Sequence, residues 1–131
     1  MFNIKYLLTD FGIHIKMKGR VCKHDLLNHV ELIKEFIDKI EKPFNVLLDF
    51  SEVDDPICFD TTRVLDIGRV YMIAQGMNRL AILYNSNAHI VDLTRVFAET
   101  AVKKRERYIS TMLHKDAFDR ATKYLREGIE P

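Results

Sequence analysis

Residues 47–63 read LLDFSEVDDPICFDTTR, and this stretch decides the fold because it joins a buried strand to a helix. It opens on Leu47, Leu48 and Phe50, and a short apolar run of this kind is typical of a strand covered on both faces. Acidic and hydroxyl residues follow, up to Asp60, a residue type that often caps a helix. The stretch therefore predicts a strand, then a polar loop, then a helix with Asp60 as its N-cap.

The residues before this stretch predict a β-hairpin followed by a helix. Apolar side chains occupy alternate positions in two runs that flank a turn signal at residues 10–12. The first run contains Phe2, Ile4, Tyr6 and Leu8, and the second contains Ile13, Ile15 and Met17. From Asp25 to Ile40 the apolar residues are spaced by three and four, which predicts a helix with one buried face. Pro43 closes this helix, and a strand is predicted from Phe44 to Phe50.

The residues after this stretch alternate between helical patterns and short apolar runs. The predicted elements are a helix ending at Gly76, a strand from Leu80 to Tyr84, a helix capped at residues 85–87, a strand from Tyr108 to Leu113 and a helix from Lys115 to Arg126. The inward stripe predicted for the first of these helices is Val64, Ile67, Gly68, Tyr71 and Ala74, and that for the last helix is Ala117, Phe118, Ala121 and Leu125.

This order of elements predicts an α/β fold. An N-terminal β-hairpin is followed by right-handed βα repeats, which build a mainly parallel sheet with helices packed on it. The 131 residues suit a single domain, residues 1–131, and 47% of them are hydrophobic, which suffices for a packed core. The net charge of +1 argues against nucleic acid or an anionic membrane surface as a partner.

Cysteine usage and hydropathy indicate a cytoplasmic protein. Cys22 and Cys58 show no CxxC spacing, so we expect reduced thiols that are buried or half-buried. No apolar run approaches the ~20 residues of a membrane span. The N-terminus also lacks the layout of a signal peptide.

Three loops leave the carboxyl ends of the predicted parallel strands, which is where α/β sheets bind ligands. The first loop and the helix start after it form the predicted binding or switch loop, which consists of Ser51, Asp54, Asp55, Asp60, Thr61 and Thr62. The other two loops supply a second predicted ligand face, which consists of Asn85, Ser86, His89, His114 and Lys115.

The residues around the first loop resemble the STAS domain, a family that includes the bacterial anti-sigma-factor antagonists (SpoIIAA-like proteins). In that family a strand ends in Asp-Leu-Ser, and the next helix opens on Asp-Ser-Ser or Asp-Ser-Thr followed by Gly-Leu. Here the strand contains Asp49-Phe50-Ser51, and the helix opens on Asp60-Thr61-Thr62-Arg63-Val64, with Arg63 in place of the glycine. The stretches NRLAIL at 78–83 and HKDAFDRATKYL at 114–125 also look like the family.

The resemblance implies a regulatory binding module without catalytic activity. The hydroxyl that the family phosphorylates would fall on Thr61 or Thr62. A phosphate there would face Asp54, Asp55 and Asp60, so we predict an unmodified site that binds a protein partner or a small ligand. The divergent stand-alone branch that this chain resembles is sometimes grouped with SEC14-like lipid-binding domains. This grouping implies, as an alternative, a lipid or another apolar small molecule held between helices and sheet.

A third interpretation is a metal-dependent phosphoryl-transfer enzyme that uses the acidic loop. Loop carboxylates would bind Mg²⁺ and Lys115 would bind phosphate. The sequence contains no GxSxG, P-loop, GxGxxG or HExxH motif, so we expect no enzyme, no cofactor and no metal. The apolar first strand, Phe2 to Leu8, has few charges and is predicted at a sheet edge, which favours a symmetric homodimer.

Overall fold

The computed structural model describes residues 2–55, 57–85 and 105–131, except for the side chain of Phe59. These residues form five strands and three helices, in an order that confirms the predicted α/β fold. They are β1 (Phe2–Thr9), β2 (Gly12–Gly19), α1 (Lys23–Lys39), β3 (Phe44–Val53), α2 (Phe59–Ala74), β4 (Met77–Tyr84), β5 (Glu106–Ser110) and α3 (Ala117–Glu127). The helix predicted to start at residues 85–87 lies outside the described residues.

The five strands form one mixed sheet in the order β1-β2-β3-β4-β5. β1 and β2 are antiparallel and make the predicted hairpin, while β2 to β5 run parallel to one another. The hairpin turn requires a glycine at Gly12, where φ is +134° and a Cβ would collide with the backbone carbonyl of Asn45. The turn is therefore packed closely against the start of β3.

The two faces of the sheet carry different helices because successive side chains of a strand point to opposite faces. α1 and α2 cover the face formed by Ile13, Ile15, Met17, Val46, Leu48 and Phe50. α3 covers the other face, which is formed by Leu47, Ala81, Leu83 and Ile109. β3 is thus buried on both faces, as its apolar run predicted.

Several predicted boundaries differ from the structure. β3 continues beyond Phe50 to Val53, whereas β5 ends at Ser110 and does not reach Leu113. The N-cap of α2 is Cys58 and not Asp60, which lies in the first turn of that helix. α3 begins at Ala117 and ends before Gly128, whose φ of +71° is a left-handed conformation that ends helices.

The inward stripe predicted for α2 is wrong by one position along the helix. Of that stripe, Ile67 is 69% exposed and Ala74 is exposed, while Val64 and Tyr71 are half-buried against the core. After the two threonines of the first turn, the fully buried positions of α2 are Leu65, Asp66, Arg69 and Met72. The apolar pattern could not reveal this rotation, because two of these inward residues are charged. Phe118 of α3 was also predicted to face inward, but 46% of it is exposed.

The buried charges form an ion-pair network between α2 and β5. Arg69 is 1% exposed, and its guanidinium lies 3.3 Å from Asp66 Oδ1 and 3.0 Å from Glu106 Oε1. Arg69 Nη1 donates to the hydroxyl of Tyr108 at 3.2 Å, and that hydroxyl donates to Glu106 Oε2 at 3.1 Å. Burial raises the pKa of the Asp66 carboxyl, although the charge of Arg69 opposes the rise. The network therefore orients α2 on the sheet at some electrostatic cost.

Candidate functional site

The predicted binding loop lies at the carboxyl edge of the sheet, but Ser51 belongs to the end of β3 and Asp60, Thr61 and Thr62 belong to the first turn of α2. The N–H of Asp54 donates to the carbonyl of Gly19 at 3.1 Å, and Asp55 Oδ2 lies 3.8 Å from Arg20 Nε. Both acids are exposed, and they contact the last residue of β2 and the residue after it. Lys115 instead follows β5, two strands away from β3, so the structure places this lysine and the loop acids over different strands.

The two threonines of the loop are buried at the start of α2. Thr61 and Thr62 are 0% and 1% exposed. Thr61 Oγ1 lies 3.1 Å from Cys58 Sγ, and Thr62 Oγ1 donates to the carbonyl of Cys58 at 3.0 Å. Asp60 is exposed beside them, where the positive end of the helix dipole favours its charge. Both hydroxyls are thus bonded to Cys58 and do not face solvent.

Cys58 is an exposed thiol at the N-cap of α2, which corrects the expectation that both cysteines are at least half-buried. Its pKa lies below the usual value, first because of the hydrogen bond with the Thr61 side chain and then because of the backbone N–H of Thr61. Cys22 is half-buried, as expected, and its thiol donates to Asp25 Oδ2 at 3.0 Å.

Asp49 is a buried carboxylate shared by a histidine and a serine. Its Oδ2 lies 3.0 Å from His14 Nε2, and its Oδ1 accepts from the N–H of Ser51 at 3.0 Å and from Ser51 Oγ at 2.5 Å. Burial favours a higher pKa for Asp49, but the hydrogen bonds from His14 and Ser51 outweigh burial and hold the pKa below its usual range. The carboxylate separates the two side chains, so this arrangement is not a serine nucleophile with a histidine base.

The second predicted ligand face is only partly described. The amide of Asn85 donates to the carbonyls of Ser51 and Val53, both at 2.8 Å, and ties the end of β4 to β3. The N–H of His114 donates to the carbonyl of Ser110 at 3.1 Å, and Lys115 is exposed. Ser86 and His89 lie outside the described residues.

An apolar cleft of about 230 Å³ lies between α1 and α2, above β2 and β3. Its floor is formed by Ile15, Met17 and Leu48. Its α1 wall is formed by Leu26, Leu27, Val30, Ile33 and Lys34, and its α2 wall by Val64, Leu65, Ile67, Gly68, Tyr71 and Met72. Leu27 and Ile67 are 48% and 69% exposed, which indicates that the cleft opens to solvent.

Gly68 lies in the middle of α2 and faces open space in this cleft. A Cβ at Gly68 would meet no described atom within 4 Å outside its own helix. Glycine in a helix interior costs about 1 kcal/mol relative to alanine. Since no packing contact requires glycine here, the missing side chain leaves the cleft wider than an alanine would.

The sequence suggested an apolar ligand between helices and sheet as an alternative, but it did not locate this cleft, although the apolar face of α2 was visible in it. Four of the five residues in the stripe predicted for α2 line the cleft: Val64, Ile67, Gly68 and Tyr71. The apolar face was therefore detected correctly, but it was assigned to the core. Periodicity reports that a face is apolar and does not report what lies opposite to it.

Comparison of the chain with protein-family models gave no match, and neither did comparison with curated proteins. Within residues 2–55, 57–85 and 105–131, no helix has the length and apolar content needed to cross a membrane. The same residues contain no group of three or more histidine, cysteine or acidic side chains that could bind a metal ion.

Proposed function

We propose that this protein is a non-catalytic binding module that holds a small apolar ligand in the cleft between α1 and α2. The observation that carries the proposal is the apolar lining on both walls and the floor, together with the open space at Gly68. Ligand sites of proteins are commonly concave and mostly apolar. The position between helices and sheet agrees with the SEC14-like alternative, in which a lipid or another apolar small molecule is bound there.

The volume of the cleft limits the size of the ligand. A protein cavity of about 150 Å³ binds benzene, and pockets for drug-sized ligands begin at about 300 Å³. The 230 Å³ of this cleft lies between these values and suits roughly nine carbon atoms by proportion. Burying an eight-carbon chain contributes about 6 kcal/mol, before the cost of association reduces it. Since 6 kcal/mol corresponds to roughly 40 μM before that cost, we expect dissociation constants from about 0.1 mM to the millimolar range.

A partner-binding role of the 51–62 loop has weaker support. Its exposed groups are acids, Asp54, Asp55 and Asp60, whereas Thr61 and Thr62 are buried. We retain the resemblance to STAS domains as part of the proposal, since a hairpin followed by βα units is what that family implies. The free thiols of Cys22 and Cys58 support a cytoplasmic location.

The proposal is tested by filling the cleft from Gly68. We expect Gly68→Phe to fold and to lose binding of 1-octanol, because the ring would occupy the open space where the ligand lies. Ala74→Phe is the matched control, because Ala74 is an exposed residue of the same helix that does not line the cleft. Titration calorimetry with each protein measures the affinity, and native mass spectrometry of protein purified without detergent looks for a retained ligand. Unchanged octanol affinity in Gly68→Phe would contradict the proposal.

A further inference from the structure

The charge at the rim of the cleft narrows the class of ligand. Lys34 is the one charged residue among the described residues that line the cleft. Its side chain is 41% exposed, and its Nζ lies 5.2 Å from the centre of the Tyr71 ring on the opposite wall. An ammonium over an aromatic face is held there by the ring quadrupole. Lys34 therefore places a positive charge beside an apolar cavity.

The acidic neighbours of Lys34 leave this charge accessible. Glu31 Oε1 lies 3.8 Å from Lys34 Nζ, and the Glu31 side chain is 82% exposed, so this is a long and solvated ion pair. Asp38 accepts a hydrogen bond from the Tyr71 hydroxyl at 2.8 Å, and this bond raises the pKa of Tyr71. The Tyr71 hydroxyl is thereby engaged with Asp38, while its ring faces Lys34.

We propose that the ligand is an amphiphile with a single anionic head group and an apolar chain of about eight carbons, of which a straight-chain carboxylate is the simplest example. The chain occupies the cleft between α1 and α2. The head group lies at the rim, where it competes with Glu31 for the ammonium of Lys34. This inference rests on the proposed function, since it assigns a head group to a ligand of the same cleft.

The experiment compares octanoate with 1-octanol, which have the same chain and differ in charge. We expect the wild-type protein to bind octanoate roughly fivefold more tightly in low salt, which is the effect of one partly exposed ion pair. Lys34→Met should bind the two ligands equally, because it keeps an apolar stem and removes the charge. Lys34→Arg should keep the preference, and 0.5 M NaCl should reduce it, since salt screens exposed charges.

Lys39→Met is the matched control, because Lys39 is an exposed lysine of α1 that does not line the cleft. We expect it to keep the wild-type preference for octanoate. Equal affinities in the wild-type protein, or a preference that survives Lys34→Met, would overturn the anionic head group while leaving the apolar site in place. If the wild-type protein bound neither ligand, the proposed function and this inference would both be wrong.

Discussion

Cys58 illustrates how individual side chains set local chemistry at the start of α2. The thiol is exposed, and Thr61 lowers its pKa through a hydroxyl that is itself fully buried. Both cysteines were expected to be buried or half-buried, yet Cys58 is exposed at the N-cap of α2 and the pKa of its thiol is lowered. Thr61 and Thr62 were candidates for modification, and the structure shows both hydroxyls buried and bonded to Cys58.

Cys58 should react faster with iodoacetamide than Cys22, because a lowered pKa increases the thiolate fraction near neutral pH. Thr61→Val should slow the reaction of Cys58 severalfold at pH 7.5 and move its pH profile upward. Thr62→Val is the control, because it removes a hydrogen bond to the Cys58 carbonyl without touching the thiol. Intact and peptide mass spectrometry over pH 6 to 9 measures the two rates. Identical rates for Cys58 and Cys22 would contradict the prediction.

The packing of α2 shows how an element can be oriented by charges as well as by apolar contacts. Arg69 and Asp66 point inward and pair with each other, and Arg69 also meets Glu106 of β5, while the apolar stripe of α2 faces the cleft. A helix that buried its whole apolar stripe would close the cleft. The buried ion pairs therefore favour the rotation of α2 that leaves the cleft open.

Arg69→Met should lower the free energy of unfolding by about 3–5 kcal/mol, because it leaves Asp66 and Glu106 buried without this cation. Asp66→Asn should behave differently, since burial raises the pKa of Asp66. A carboxyl whose pKa is higher in the folded state costs stability as the pH rises above its unfolded value near 3.8. The Asn variant should therefore gain stability relative to the wild type between pH 4 and pH 7.

Urea unfolding at pH 4 and at pH 7 measures the free energy of unfolding of each variant. Arg63→Met is the control, because Arg63 is an exposed arginine of the same helix. If Asp66→Asn lowered the free energy of unfolding at pH 7 as much as Arg69→Met does, Asp66 would stabilise the fold as an ion, contrary to the prediction.

At the scale of the whole molecule, the edge strand β1 is a surface through which two chains could associate. Among the described residues β1 pairs only with β2, and Leu7 and Leu8 near its end are 51% and 59% exposed. Unpaired edges with apolar side chains pair readily with other chains. The homodimer expected from the sequence thus remains a prediction, and the β1 edge is the surface that we assign to it.

Light scattering at a protein concentration of tens of micromolar should give a molar mass about twice the 15.4 kDa of one chain for the wild-type protein. The double variant Leu7→Lys, Leu8→Lys should be a monomer, because charged side chains protect strand edges. Ile129→Lys is the control, since Ile129 is 52% exposed and lies at the C-terminal end of the chain, outside β1. A wild-type mass of 15.4 kDa over this concentration range would remove the prediction.

The order of elements and the buried nature of β3 were predictable from the residues alone. Alternation in the hairpin and the spacing of three and four in α1 are local patterns, and local patterns report which face of an element is apolar. Gly76 and Gly128 likewise marked the ends of their helices, because a positive φ favours glycine.

Only the tertiary structure decided what each apolar face meets and which polar groups are buried. The stripe of Val64, Ile67 and Tyr71 would have the same pattern whether it packed on the sheet or lined a cleft. The inward position of Arg69 depends on Glu106, a residue 37 positions later, and no local pattern encodes that pairing. The cleft exists because these long-range contacts orient α2, and this is the physical reason why the sequence could not show which apolar residues line it.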